Sequence, residues 1–225
     1  MFYAKPSGTY TYDSTEGTAN IKAVYDYLYP LGYTKNCIIG LLGNVAAESG
    51  YNPWLWENGI YQPGYGYGLF QFTPASDYIN ASWLPDYAPN IDPPNVSPGA
   101  SPNDAKAQLY AFDNDIFGKW DTYCWRTGQY GWDPSDYPDL YTKRTYILNT
   151  YGSGSSLSMS QFKAITDYSD ACFAFLACYE KPLYPNYTQR LIYAAQVKTI
   201  LDNYSGLPDI VIMKKIIDRN FGRSI

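Results

Sequence analysis

Histidine is absent from this chain of 225 residues. That excludes Ser-His-Asp and Cys-His nucleophilic sites of the usual kind, whose general base is an imidazole. It also excludes zinc hydrolases that hold their metal through histidine. Charge is scarce as well: 16 basic residues stand against 21 acidic ones, a net of −5. Such a chain has little general affinity for nucleic acid or for anionic lipid, so neither nucleic acid nor membrane is expected as a partner. No apolar run approaches the roughly 18 residues of a membrane-spanning helix. The start, Met1-Phe2-Tyr3-Ala4-Lys5-Pro6, lacks the apolar stretch of a secretory signal. An extracellular target is therefore expected to be reached by cell lysis or by assembly into a particle. Cysteine is limited to Cys37, Cys124, Cys172 and Cys178, with no CxxC pair, so neither a metal nor another cofactor is expected. Cys172 and Cys178 lie six apart on one predicted helix and point away from each other. All four are expected as buried, reduced thiols. Carboxylate chemistry is what remains for hydrolysis, and glutamate is itself rare, confined to Glu16, Glu48, Glu57 and Glu180.

What is present is apolar and aromatic. Hydrophobic residues make up 46% of the chain, enough for one sizeable core, or one core plus a small appendage. The 26 tyrosines and 6 tryptophans suit a sugar-binding cleft, where ring faces stack on pyranose C–H groups and hydroxyls meet hydroxyls.

The first ten or so residues are polar and expected to be loosely held. Ile21, Val24, Tyr25 and Leu28 then recur at helical spacing, with Asp13, Ser14 or Thr18 as the cap and Pro30 with Gly32 as the stop. Thr34 offers the next cap, and Ile38, Leu41, Leu42 and Val45 form a second buried stripe. Three residues further on is Glu48. A carboxyl leaving the core at its edge is partly desolvated, which raises its pKa as a general acid near neutral pH requires. Gly50 ends this helix, and Asn52-Pro53 prevents its continuation. Residues 54–73 alternate aromatics with glycine and proline and predict a hairpin or an irregular lobe. There Gly64, Gly66 and Gly68 allow backbone to approach a ligand, and Tyr65, Tyr67 and Phe70 are candidates for sugar contact. Leu84–Lys106 carries six prolines and predicts a long surface loop. Further helices are predicted over Asp104–Lys119, near Leu140–Leu148, from Ser160 to about Tyr179, and over Tyr187–Tyr204.

These residues resemble the lysozyme-like muralytic domains of phage tail proteins, related in fold to goose-type lysozymes and soluble lytic transglycosylases. The likeness rests on Asn44-Val45-Ala46-Ala47-Glu48-Ser49-Gly50, on Asn52-Pro53, and on Gly66-Tyr67-Gly68-Leu69-Phe70-Gln71. Cys178-Tyr179-Glu180-Lys181-Pro182 with Arg190 and Ala194 looks like that group's final helix pair. The resemblance implies a mainly α, lysozyme-like helical bundle with a small irregular or β-hairpin lobe beside the active-site cleft. It implies cleavage of the MurNAc–GlcNAc β-1,4 bond of peptidoglycan, with Glu48 as general acid, Gln71 lining the cleft and Tyr179 packed near the acid. It also implies other phage tail proteins as partners and the virion tail as the location. Residues 18–204 would form the catalytic domain, preceded by an extension (1–17). An amphipathic tail with a net charge of +2, or a connection to a further domain, would follow (205–225).

Other readings stay open on the residues alone. Gln71 can be a turn-stabilising amide, Tyr179 a core residue, and Glu180 an ion-pair partner of Lys181 or Arg190. The second carboxylate of an inverting mechanism is sought among Glu57, Asp77 and Asp86, with Glu57 preferred. A single glutamate acting first as acid, then as base, would instead leave a 1,6-anhydro product. A free endolysin and a lytic transglycosylase are the related alternatives. An inactive glycan-binding or structural tail module is the alternative of a different class.

Overall fold

A computed structural model describes residues 2–80, 104–125 and 131–206. The predicted proline-rich loop, with Asp86, and the tail beyond Gly206 lie outside these residues. Among them the fold is mainly α, with eight α-helices and no strand, as a lysozyme-like bundle requires. Helix α1 (Thr15–Leu28) starts at Ser14, whose side chain accepts from Gly17 N, and buries the predicted stripe Ile21, Val24, Tyr25 and Leu28. Helix α2 (Lys35–Ser49) starts at Thr34, whose hydroxyl accepts from Cys37 N. It is buried around its whole circumference from Cys37 to Val45, so it is the buried axis of the bundle and not a surface helix with one apolar stripe. Each Leu or Ile enclosed there contributes roughly 1.5–3 kcal/mol. Its last turn emerges at Ala46, Ala47 and Glu48.

Two helices embrace α2: α7 (Tyr168–Phe175) and α8 (Tyr187–Asp202). Glycine permits the close approach. A methyl at Gly40 would lie 2.4 Å from Cys172 N, and one at Gly43 would lie 2.6 Å from Arg190 O. These two glycines, costly in a helix interior, bring the backbones of α7 and α8 against α2. The shorter helices are α3 (Ala75–Ile79), α4 (Ala105–Asp113), α5 (Pro138–Thr150) and α6 (Met159–Lys163).

Several expectations are corrected. The N-terminal residues are tied down. Asn20 exchanges hydrogen bonds with Tyr3 backbone at 2.8 Å in both directions, and Asn52 donates to Lys5 O and Gly8 O. Both amides are fully buried and take the N-terminal backbone as their partner. The helix expected from Ser160 to Tyr179 is three pieces. Ser158 and Gln161 form a capping box for α6, Asp167 caps α7 by accepting from Ser169 N and Asp170 N, and Leu176–Glu180 is a π-turn. The break frees carbonyls that Thr34 and Asn36 bind from α2. Helix α4 stops at Asp113, not near Lys119, because Asp115 adopts φ +45° and its carboxylate accepts from Lys119 N and Trp120 N. Cys124 and Cys178 are joined in a disulfide, so only Cys37 and Cys172 match the expected buried thiols. The partners are 54 residues apart, a contact that spacing along the chain does not reveal. The 54–73 lobe is irregular, held by isolated bridges that Tyr67 makes with Trp56 and Phe72.

Candidate active site

Gly50 ends α2 in the left-handed conformation at φ +51°, its N–H bonded to Ala46 O. A side chain at this position would strike Thr9, whose Cβ would lie 2.3 Å from the added carbon. The abrupt end leaves Glu48 at the core's edge, its side chain 21% exposed. Ser49, the next residue, is buried, and its hydroxyl lies 3.1 Å from Leu69 O. One residue thus faces the cleft while its neighbour fastens the helix end to the glycine-rich turn.

That turn is fixed from several directions. Gly68 N donates to Leu55 O, Leu69 N donates to Gln108 Oε1 at 2.8 Å, and Gln108 Nε2 donates to Pro53 O at 2.7 Å. Gln71, at φ +44°, bends its own amide back to Gly68 O and Leu55 O. Glu57 is exposed, and Gly66 N donates to its Oε2 at 2.8 Å. The turn therefore orients both its own backbone and the Glu57 carboxylate.

The opposite wall comes from the π-turn and α8. Glu48, Glu57, Phe70, Gln71, Tyr179 and Glu180 all line one cavity of about 370 Å³, with Lys119 and Pro182 at its border. Arg190, on α8, lies behind Glu48. Its Nη2 donates to Glu48 Oε1 at 2.6 Å and its Nη1 donates to Asn44 Oδ1 at 3.2 Å. Asn44, one helical turn before Glu48, is itself anchored by donating to Gly40 O and Cys172 O. Arg190 is nearly enclosed, and its ion pair with Glu48 is the strongest fixed interaction of the acid. Burial and the Glu48 charge push the Glu180 carboxyl well above the usual range, against the pull of Arg190 and Lys119. Burial also lowers the Lys119 ammonium, opposed mainly by Asp77 and Glu180. The site thus has two glutamates held by donors, Arg190 and Gly66 N, and a third, Glu180, that is half-buried with its Oε1 enclosed. Phe70 and Tyr179 also line the cavity and belong to the aromatic cluster beneath it, where their rings lie 6.0 Å apart.

Residues 19–201 match the phage tail lysozyme family. The chain belongs to that family. Membership supports a muralytic glycosidase in general. A stretch of 81 residues, 36% of the chain, is 42% identical to Morphogenesis protein 1 of Bacillus phage B103 and covers 21% of that protein.

In this member of the phage tail lysozyme family, the residues expected at the site separate into two groups. Glu48, Glu57, Phe70, Gln71 and Tyr179 share the cavity. Gln71 and Tyr179 combine readings that the sequence left open, since Gln71 both lines the cavity and holds its turn, and Tyr179 both lines it and packs on Phe112 and Phe175. Tyr67 does not reach it. The ring is fully buried against Trp56 and Tyr78, and its hydroxyl donates to Asp104. In the irregular lobe it acts as a pillar and not as a sugar contact. Tyr65 is exposed but is not part of the cavity wall, and Asp77 is likewise outside it. Arg190 is bonded to Glu48 and makes no ion pair with Glu180. Its pairing with Glu48 was not among the expectations. The spacing of Asn44 and Glu48, four apart on α2, was the signal that two polar groups leave one helix face together. A larger cavity of about 540 Å³ opens near the starts of α5 and α8. It contains no glutamate, and its lysine, Lys143, is already paired with Asp170.

Proposed function

We propose that the protein cleaves the MurNAc–GlcNAc β-1,4 bond of peptidoglycan, acting from a phage tail during passage through the cell wall. Residues 18–204 would be the catalytic unit, other tail proteins its partners. The observation that carries this reading is the shared cleft. Glu48 and Glu57 line one cavity, one fixed by Arg190 and the other by a backbone N–H. Glu48 is the general acid. Its proton passes to the glycosidic oxygen as the C1–O bond breaks, and the electron pair leaves with that oxygen. Glu57, exposed and held by Gly66, takes a proton from the water that attacks C1. Phe70, Gln71 and Tyr179 bind the sugar at the cleavage point, and Tyr65 extends contact along the lobe's surface.

The test is digestion of purified peptidoglycan by the wild type, Glu48→Gln and Glu57→Gln, with products analysed by mass spectrometry. Reducing MurNAc ends from the wild type, and a loss of 100-fold or more in Glu48→Gln, are expected. Undiminished release by Glu48→Gln would remove it as the acid. A 1,6-anhydro end, with Glu57→Gln still active, would replace hydrolysis by transglycosylation. No release by the wild type would leave a glycan-binding or structural module.

A further inference from the structure

We infer that the N-terminal segment, residues 3–10, is a strap that sets the gap between Glu48 and Glu57, and so extends the catalytic unit beyond residues 18–204. The inference rests on the reading of these two glutamates as acid and base and deepens it, because their separation decides whether a water fits between base and sugar.

Glu48 and Glu57 stand on different elements, the end of α2 and the 3₁₀ turn Glu57–Gly59, joined by the residues between them. The first two residues of this joint after α2, Gly50 at φ +51° and Tyr51 at φ +61°, are both left-handed. A tyrosine is disfavoured there by the crowding of its Cβ, and the conformation persists where neighbours impose it. The strap helps to impose it. Tyr10 N donates to Gly50 O at 3.0 Å. Asn20 Nδ2 donates to both Tyr51 O and Tyr3 O, at 2.8 Å each. Lys5 N donates to Asn52 Oδ1, which also accepts from Trp54 N, and Asn52 Nδ2 donates to Lys5 O and Gly8 O. Three consecutive residues of the joint are thus bonded to the strap, directly or through Asn20.

The strap also touches both ends of the joint. Thr9 lies over Gly50 so closely that no side chain fits, and a methyl at Gly59 would lie 3.9 Å from Ser7 Cβ. Gly50 follows Glu48 by two residues, and Gly59 follows Glu57 by two. The strap is held chiefly by backbone bonds to two enclosed amides, while Tyr3, Ser7 and Thr9 stay exposed. It therefore orders the joint while adding little to the core. The aromatic turn is fastened separately, by Ser49 to Leu69 O, by Gln108 to Leu69 N and by Gln71 to Gly68 O. Loosening the strap frees Glu57 to move relative to Glu48 and leaves Phe70 and Gln71 in place. The strap precedes the family-matched residues 19–201.

The full chain carrying Lys5→Pro and Tyr10→Pro tests this, since proline lacks the N–H that each residue gives to the joint. Amide hydrogen exchange at Asn52, Trp54 and Leu55 is expected to quicken roughly tenfold or more, with α7 and α8 still protected. In peptidoglycan digestion kcat should fall on the order of 10- to 100-fold, with KM within about twofold. Should the double variant not fold, Tyr10→Pro alone is held to the same expectations. Wild-type kcat despite faster exchange at the joint overturns the positioning role. So does unchanged exchange at the joint, or a KM raised as much as kcat falls. Exchange quickened equally through α7 and α8 marks general support of the fold and also refutes the strap. An inactive wild type with the expected exchange pattern would sink the assigned cleavage while leaving the strap's hold on the joint established.

Discussion

Replacing Arg190 by methionine removes the one cation bonded to Glu48 while keeping most of the side chain's apolar volume. The guanidinium is nearly enclosed, with its side chain 7% exposed, and Glu48 retains 21%. Breaking a buried ion pair by deleting one partner costs about 3–5 kcal/mol, because the survivor stays charged and unpaired. Glu48 can turn toward water in the open cleft, which reduces that cost to about 2–3 kcal/mol, including the bond lost at Asn44 Oδ1. For a chain of this size the loss corresponds to a Tm lower by roughly 5–10 °C. A double-mutant cycle isolates the pair: Arg190→Met, Glu48→Gln and the double variant are unfolded in urea at pH 7. Coupling of about 2 kcal/mol is expected, with the double variant more stable than Arg190→Met alone. Coupling below about 0.5 kcal/mol would refute the view that Arg190 and Glu48 hold each other.

Two further outcomes test the supports of the cleft. Asp104 is enclosed beneath the lobe, and burial pushes its carboxyl up to about 7 although Tyr67 and Tyr78 donate to it. The folded state therefore binds more protons than the unfolded chain between about pH 4 and 7, so this group's stabilisation is present at the acid end and lost as pH rises through 7. The full effect is on the order of 4 kcal/mol, and Asp104→Asn should flatten the fall in urea midpoint between pH 5 and 8; a variant with the wild-type slope would contradict it. The Cys124–Cys178 bond closes a loop of 54 residues, and Cys124→Ala with Cys178→Ala should cost about 2–4 kcal/mol. Equal thermal melts with and without reductant, in a wild type whose thiols are shown to be oxidised, would argue against a stabilising role.

The local signals in the sequence were decisive wherever a single helix could satisfy them. Ser14 and Thr34 cap the helices predicted for them, Gly50 stops α2, and the four-residue stripe of α1 is buried. These features depend on a few consecutive side chains and backbone groups, so the sequence carries them directly. The position of Glu48 at the core's edge follows from the same pattern, and the missing histidines exclude an imidazole base. Tertiary structure decided what the carboxylates face. Ile165, Phe162 and Phe173 are all buried, so apolar periodicity gave no mark of the break between α6 and α7, which the competing cap at Asp167 imposes. Tyr67 and Phe70 are both aromatic and both enclosed. One is taken by Asp104 and the other forms the cleft's floor, a difference set by which neighbours the folded lobe presents. Arg190 and Glu48 are 142 residues apart, and Glu180 shares a cavity with Glu48 only because the fold brings the π-turn to the end of α2. Pair energies at such distances along the chain depend on burial and on the remaining partners of each group, which exist only once the core has closed.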